Sequence, residues 1–192
     1  MASDADDGFP ASEFWDFTIA HYGRAGLSPA VIALQDRLGV DVNMLLLCCW
    51  AGSTGRGALA ADDIDRALAV ARPWQSEVVE PLRAARRHLK PPSAAAPEAP
   101  AEALRRRILG CEIDGEHVAQ LMMEATVARA PDADRATGDR LADTAAGLAR
   151  YMAALGVTAG DADRVDLATL LGAVFDDADA VAVTAAVASL SG

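Results

Sequence analysis

Apolar residues recur three and four positions apart along most of this chain, in stretches separated by glycine, proline and acidic residues, the pattern of successive amphipathic helices. Phe14, Trp15, Phe17, Ile19 and Tyr22 predict a first helix that stops at Gly23. Ser28 and Pro29 make a cap and first-turn pair for a second, carried by Val31, Ile32, Leu34 and Leu38 to Gly39. Asp41 caps a third, whose run 42–50 is apolar almost all round, as suits a helix enclosed by others. The glycine-rich stretch 52–57 breaks it and reads as a flexible connector. Asp62, Asp63 and Asp65 then mark the positive end of a fourth helix. Pro73 starts a fifth, with Trp74, Val78, Val79, Leu82 and Leu89 on its face and a kink at Pro81.

Residues 91–100, PPSAAAPEAP, have the composition of a linker. They divide an N-terminal helical domain, 9–90, from a C-terminal helical region, 101–192, with residues 1–8 expected to be disordered. Beyond the linker, Leu104, Ile108, Cys111, Gly115, Val118, Met122 and Ala125 repeat at alternating spacings of four and three, a heptad seam on one long helix over 101–129 that Pro131 ends. Leu141, Leu148, Met152 and Leu155 mark a return helix closed by Gly156. A shorter helix follows at Leu167 to Phe175, and an alanine and valine tail at 179–190. The fold class is therefore all-α: an orthogonal multi-helix N-terminal domain, then an antiparallel helical hairpin and short C-terminal helices.

Composition supports this reading. Hydrophobic residues make up 52% of 192, enough for a real core, but aromatics are only 5%, so apolar surface is spread over many small side chains. The formal net charge of −11 argues against nonspecific adhesion to nucleic acid or anionic lipid over the whole surface. The charge is uneven: −6 over 1–71, +4 over 72–107 and −9 over 108–192. Three cysteines, two of them adjacent, fit reduced buried thiols rather than bridges. The acidic start lacks the features of a signal peptide and no apolar run has the length of a membrane span, so a cytoplasmic location is expected.

The candidate chemistry is sparse. Asp41 and Asn43 sit at the mouth of the apolar third helix with Gln35 nearby, where cap residues also have a structural use. Trp15, Tyr22, Trp50 and Trp74 are the large rings available either for a planar ligand or for filling gaps between alanine-rich helices. Arg83, Arg86, Arg87 and Lys90 share one helix face, followed by Arg105, Arg106 and Arg107. Such a face suits an acidic partner or phosphates, or it pairs with the acidic helices of the same chain. Arg56 lies in a glycine loop that matches no phosphate-binding pattern. His21, His88 and His117 are scattered, and Glu112, Glu116 and His117 lack the spacing of a di-iron helix pair, so no metal or other cofactor is expected. No nucleophile elbow surrounds Ser12, Ser28 or Ser53, and no catalytic constellation emerges.

EFWDF at 13–17, HYGRAGLSPAVIALQDRLGVDVNMLLLCCW at 21–50 and RPWQSEVVEPLRAARRHLK at 72–90 together resemble an uncharacterised proteobacterial family of short helical proteins, known as a domain of unknown function. The resemblance covers 13–90 and implies no activity. Three readings follow from the residues. One is a noncatalytic cytoplasmic adaptor or regulatory module that binds another protein or a second copy of itself, with Arg86, Arg87 and Lys90 as contacts. Another is a small-molecule or phosphate-ligand binder, with or without catalysis, using Asp41, Asn43, Trp50, Arg72, Trp74 and Arg83. The third is RNA binding through the basic helix, which the lack of interleaved aromatics disfavours.

Overall fold

The structure, a computed structural model, describes residues 8–90 and 97–191. The described chain is all-helical, without strands. Of the segments expected to lack structure, 1–7 and 91–96 lie outside the described residues, while 98–100 already belong to a helix.

Helix α1 spans Glu13–Tyr22, α2 Leu27–Leu38 and α3 Val42–Ser53. Ser12 caps α1 by accepting from the Trp15 N–H, and Asp41 caps α3 by accepting from the Asn43 N–H at 2.7 Å. Helix α2 starts one turn position before the expected Ser28 cap, because Gly26, at φ 82°, lets the chain enter at Leu27. From Asn43 to Gly52 every residue of α3 is buried, as its continuous apolar run predicts.

Helix α4, Ala61–Trp74, does not stop for Pro73. It continues through a π-helical turn, Gln75–Val79, directly into α5, Glu80–His88. The wider turn accounts for this. The Glu80 N–H reaches back five residues to the Gln75 carbonyl, which relaxes the helix just where the Pro81 ring would crowd the carbonyl four residues earlier. The expected start at Pro73 and kink at Pro81 are thus replaced by one helical rod with an expanded turn between its prolines.

Helix α6, Glu98–Glu124, packs on α4, the π turn, α5 and α1. It ends short of Pro131, with Thr126 folding its hydroxyl onto the Met123 carbonyl at 2.7 Å. Helix α7, Thr137–Leu155, has α3 rather than α6 as its principal partner, so the return stroke of the expected hairpin lies across the core. Helix α8, Asp161–Val174, pairs with α2, and α9, Ala180–Ala188, lies on α7 and α8. One hydrophobic cluster runs from Phe14 to Leu190 and takes in α1, α2, α3, α4, α7, α8 and α9 with Met123 of α6.

Two glycines set the closest approaches. A Cβ on Gly52 would lie 2.0 Å from Thr144 Oγ1 and 2.7 Å from the Thr144 nitrogen, so α3 meets the backbone of α7 directly. Gly55, at φ +77°, lies against the Asp132 carbonyl, and the Asp132 N–H donates to the Thr54 carbonyl at 3.0 Å. The glycine-rich stretch expected to be a flexible connector is a packed turn, locked to the loop that follows α6.

The seam predicted on α6 is only partly used. Gly115 is buried against Val79 and Leu82, but Leu104, Cys111 and Ala125 are exposed. The buried residues are Glu112, Gly115, His117, Ala119, Gln120 and Met123, which hydrophobic periodicity misses because three of them are polar. None of the described residues from Glu80 to Cys111 is buried, so α5 and the first half of α6 form a two-helix arm beside the core. No described helix is long and apolar enough to cross a membrane.

Candidate functional site

The sequence's polar candidates meet where α3 begins and α6 passes α5. Gln120 Nε2 donates to Asn43 Oδ1 at 2.8 Å, and Asn43 Nδ2 donates to Glu116 Oε2 at 2.6 Å. Arg83 spans two carboxylates, Nη2 to Glu116 at 2.9 Å and Nε to Glu112 at 3.0 Å. Arg86 grips Glu112 through Nε at 2.5 Å and Nη2 at 3.2 Å. The chain Gln120–Asn43–Glu116–Arg83–Glu112–Arg86 thus ties the mouth of α3 to α6 and α5. Trp74 adds its indole N–H to the Gly115 carbonyl at 2.8 Å.

The charges in this network do not all rest easily. Burial pushes the Asp41 carboxyl above its ordinary range, against the backbone N–H groups of Asn43 and Met44 and the charge of Arg83. Burial raises Glu116 too, reinforced by the negative charges of Asp41 and Glu112 and opposed by Asn43 and Arg83. Glu112 goes the other way: burial pushes it up, but hydrogen bonds from Arg86 and Arg83 outweigh that and hold it below the usual range. Tyr151 completes the cluster, its hydroxyl accepting from the Asp41 N–H at 2.7 Å, and burial raises it further above the ordinary phenol.

A measurable consequence follows for Asp41. A carboxyl whose value is raised in the folded state contributes fully to stability below its unfolded value of about 3.9 and loses that contribution as pH rises through the folded value. Asp41→Asn keeps an acceptor for the cap and removes the charge beside Glu116. Urea unfolding should find it more stable than the unsubstituted chain near neutral pH, with the difference closing as pH falls to about 4. Asp41→Ala, which loses the cap, should instead cost about 1 kcal/mol.

Asp41 also lines a shallow groove of about 570 Å³ with Arg72, Gln75, Ser76, Glu77 and Glu80. Of the six residues named from sequence as ligand contacts, Asp41 and Arg72 face this groove, Asn43 and Arg83 belong to the polar network, and Trp74 spans α4 to α6. Trp50 lies elsewhere. Its ring, 1% exposed, is 5.5 Å from Phe14 and carries the Arg56 guanidinium 4.1 Å above its centroid. Of the basic residues named as partner contacts, Arg86 is paired within the network, while Arg87 and Lys90 are exposed on the arm.

Sequence reasoning missed Gln120 and Tyr151 and gave Glu112 and Glu116 no part in this site. Glu112, Glu116 and Gln120 recur every four residues on α6, a polar row whose signal was present but indistinguishable from a solvated stripe. Cys48, by contrast, is buried and pushed up to about 12, and Cys49 is raised well above its usual value by the same burial, as expected of thiols packed as small hydrophobes.

The chain belongs to the family described as "Protein of unknown function (DUF2390)", which it matches over residues 13–123. The match runs past the arm and takes in nearly all of α6, the helix that carries Glu112, Glu116 and Gln120. No curated protein and no solved structure matches the chain.

Proposed function

We propose that this member of a family without an assigned activity is a noncatalytic, cytoplasmic partner-binding module whose α5–α6 arm takes an acidic, partly apolar segment of another protein. One observation carries this reading: the distribution of charge on the arm. Residues 80–111 hold seven arginines and lysines against three glutamates in a chain of net charge −11. Arg83, Arg86 and Arg105 are neutralised by Glu112, Glu116 and Glu102. Arg87, Lys90, Arg106 and Arg107 are exposed and have no ion pair among the described residues. Leu104 and Leu109, 40% and 38% exposed, lie beside them on α6 and offer apolar anchors. Arginine with exposed aliphatic side chains suits a carboxylate-bearing protein segment better than a single-stranded nucleic acid, for which residues 80–111 offer no Phe, Tyr or Trp to stack on.

The test uses fluorescence anisotropy with a labelled amphipathic peptide rich in glutamate and leucine, in parallel with a labelled single-stranded RNA. The peptide should bind, weaken with added salt, and lose at least about tenfold in affinity when Arg87, Arg106 and Arg107 are all changed to Glu, equivalent to about 1.4 kcal/mol. These side chains are exposed, so the helical circular dichroism should not change. Failure of the peptide to bind at low salt, equal binding by the charge-reversed variant, or preferential binding of RNA would each overturn the proposal.

A further inference from the structure

A second cleft, of about 480 Å³, opens where the start of α1 faces the end of α3 and the end of α6. It lies within the range of small-molecule sites, about 300–1,000 Å³. Its lining includes Glu13, Asp16, Trp50, Arg56, Glu124 and Arg129. The packed glycine turn determines the position of Arg56. It holds the guanidinium over the Trp50 ring, where the side chain is only 6% exposed, with Nη1 donating to Thr54 Oγ1 at 2.7 Å. A guanidinium so deeply desolvated requires a carboxylate partner. That partner is Glu13, whose own side chain is 65% exposed at the rim.

Two features of this arrangement are left over once the fold is accounted for. The Trp50 indole N–H is buried and has no acceptor among the described residues, in a chain where the indole of Trp74 has one. A buried donor without a partner is uncommon, and because Trp50 lines the cleft a group bound there can supply the acceptor. The lining also carries both signs of charge. Glu124 accepts from the Ser12 hydroxyl at 2.5 Å and from the Glu13 and Phe14 N–H groups, and Arg129 is held by Asp63 and the Ala58 carbonyl, whereas no ion pair engages Asp16 among the described residues. A simple anion would meet three carboxylates here, and a simple cation two guanidinium groups.

We propose that this cleft binds a small zwitterion, a free amino acid or dipeptide, whose carboxylate displaces Glu13 from Arg56 and accepts the Trp50 N–H while its ammonium group faces Asp16 and Glu124. Glu13 stands in for the ligand's carboxylate when the cleft is empty: its side chain is 65% exposed, so it can swing into solvent once the ligand's carboxylate takes its place on Arg56. This site is separate from the arm and does not depend on the partner-binding reading.

The test is thermal shift and tryptophan fluorescence on the full chain with the common amino acids and alanyl-alanine, against acetate, putrescine and inorganic phosphate as controls that carry charge of one sign only. At least one zwitterion should raise the melting temperature, because binding to the folded state alone stabilises it. The compounds with charge of one sign should have no effect at equal concentration. Trp50→Phe removes the N–H together with the five-membered ring of the indole, and should weaken binding at least about tenfold, the worth of one hydrogen bond in a desolvated site. Glu13→Gln removes the competing carboxylate from an exposed position and should tighten binding by a similar factor, which keeps the test decisive if Trp50→Phe fails to fold. The proposal is overturned if no zwitterion shifts either the unsubstituted chain or Glu13→Gln, if acetate or phosphate binds as well as the zwitterion, or if Glu13→Gln binds no more tightly.

Discussion

Gly52→Ala is expected to be the most damaging single-methyl substitution in the chain, with a loss of about 3 kcal/mol or more and a fall in melting temperature of roughly 10 °C. The added Cβ would come within 2.0 Å of Thr144 Oγ1, 2.7 Å of the Thr144 nitrogen and 2.8 Å of its Cα. The hydroxyl can rotate, but the backbone of α7 cannot give way without parting the largest helix pair in the core. Thr144→Ala in the same chain should therefore rescue little. The contrast is Gly110→Ala on α6, where nothing lies within 4 Å of the new methyl group and the ordinary helix preference applies, a gain of up to about 1 kcal/mol. Equilibrium urea unfolding of the two variants separates close backbone approach from glycine's intrinsic cost. Equal small effects from both would mean that α3 and α7 do not meet as closely as described.

That contrast also shows where the sequence was readable. Helices with one apolar face and a clear stop were legible, as in α1, with Gly23 behind Tyr22, and α7, with Gly156 behind Leu155. The enclosed position of α3 followed from its unbroken apolar run. What could not be read was which element faces which. Gly52 looked like a turn former because a glycine selected for a neighbour's approach has the same letter as one selected for its φ angle, while Gly55, at φ +77°, is both. Pro73 looked like a helix start and Pro81 like a kink because an expanded π turn leaves no periodic signal in so short a segment. The partners of α6 were hidden for a third reason: its buried face depends on ion pairs with α5, and Glu112 and Gln120 read as solvent-facing until Arg83 and Asn43 are placed opposite them.

The same pairing determines how the candidate site divides. Asn43, the residue with the most open role at the mouth of α3, has both ends of its amide occupied by Gln120 and Glu116. A buried amide held at both its oxygen and its nitrogen fixes the register of α3 on α6. Arg83 and Arg86 are likewise committed to Glu112, which removes them from the charge available to a partner and leaves the outer residues of the arm to supply it. Trp50 and Arg56, in contrast, sit in a stack with an unfilled donor. Residues grouped from sequence as one ligand set therefore fall into a structural network, a surface groove and a separate cleft.

Glu112→Ala should release the arm while leaving the core folded. Helix α5 has no buried side chain, so its hold on α6 comes from partly covered apolar contacts and from the two arginines that converge on Glu112. Removing the carboxylate leaves Arg86, 20% exposed, without an acidic partner and Arg83, 24% exposed, with Glu116 alone. Breaking a buried pair costs about 3–5 kcal/mol, and the partial access of water to both arginines lowers this to about 2 kcal/mol. The loss is local. Amide hydrogen exchange over 80–90 should accelerate by about thirtyfold, while exchange in α3 and α7, which do not touch Glu112, stays near its original rate. Acid should mimic the substitution: a carboxyl held below its ordinary range stabilises the fold above its unfolded value and loses that contribution as pH falls through the folded one, the reverse of the behaviour at Asp41 and Glu116. Unchanged exchange in α5 after Glu112→Ala would show that apolar packing alone holds the arm, and exchange that rises equally in α3 would show that the arm and core open as one unit.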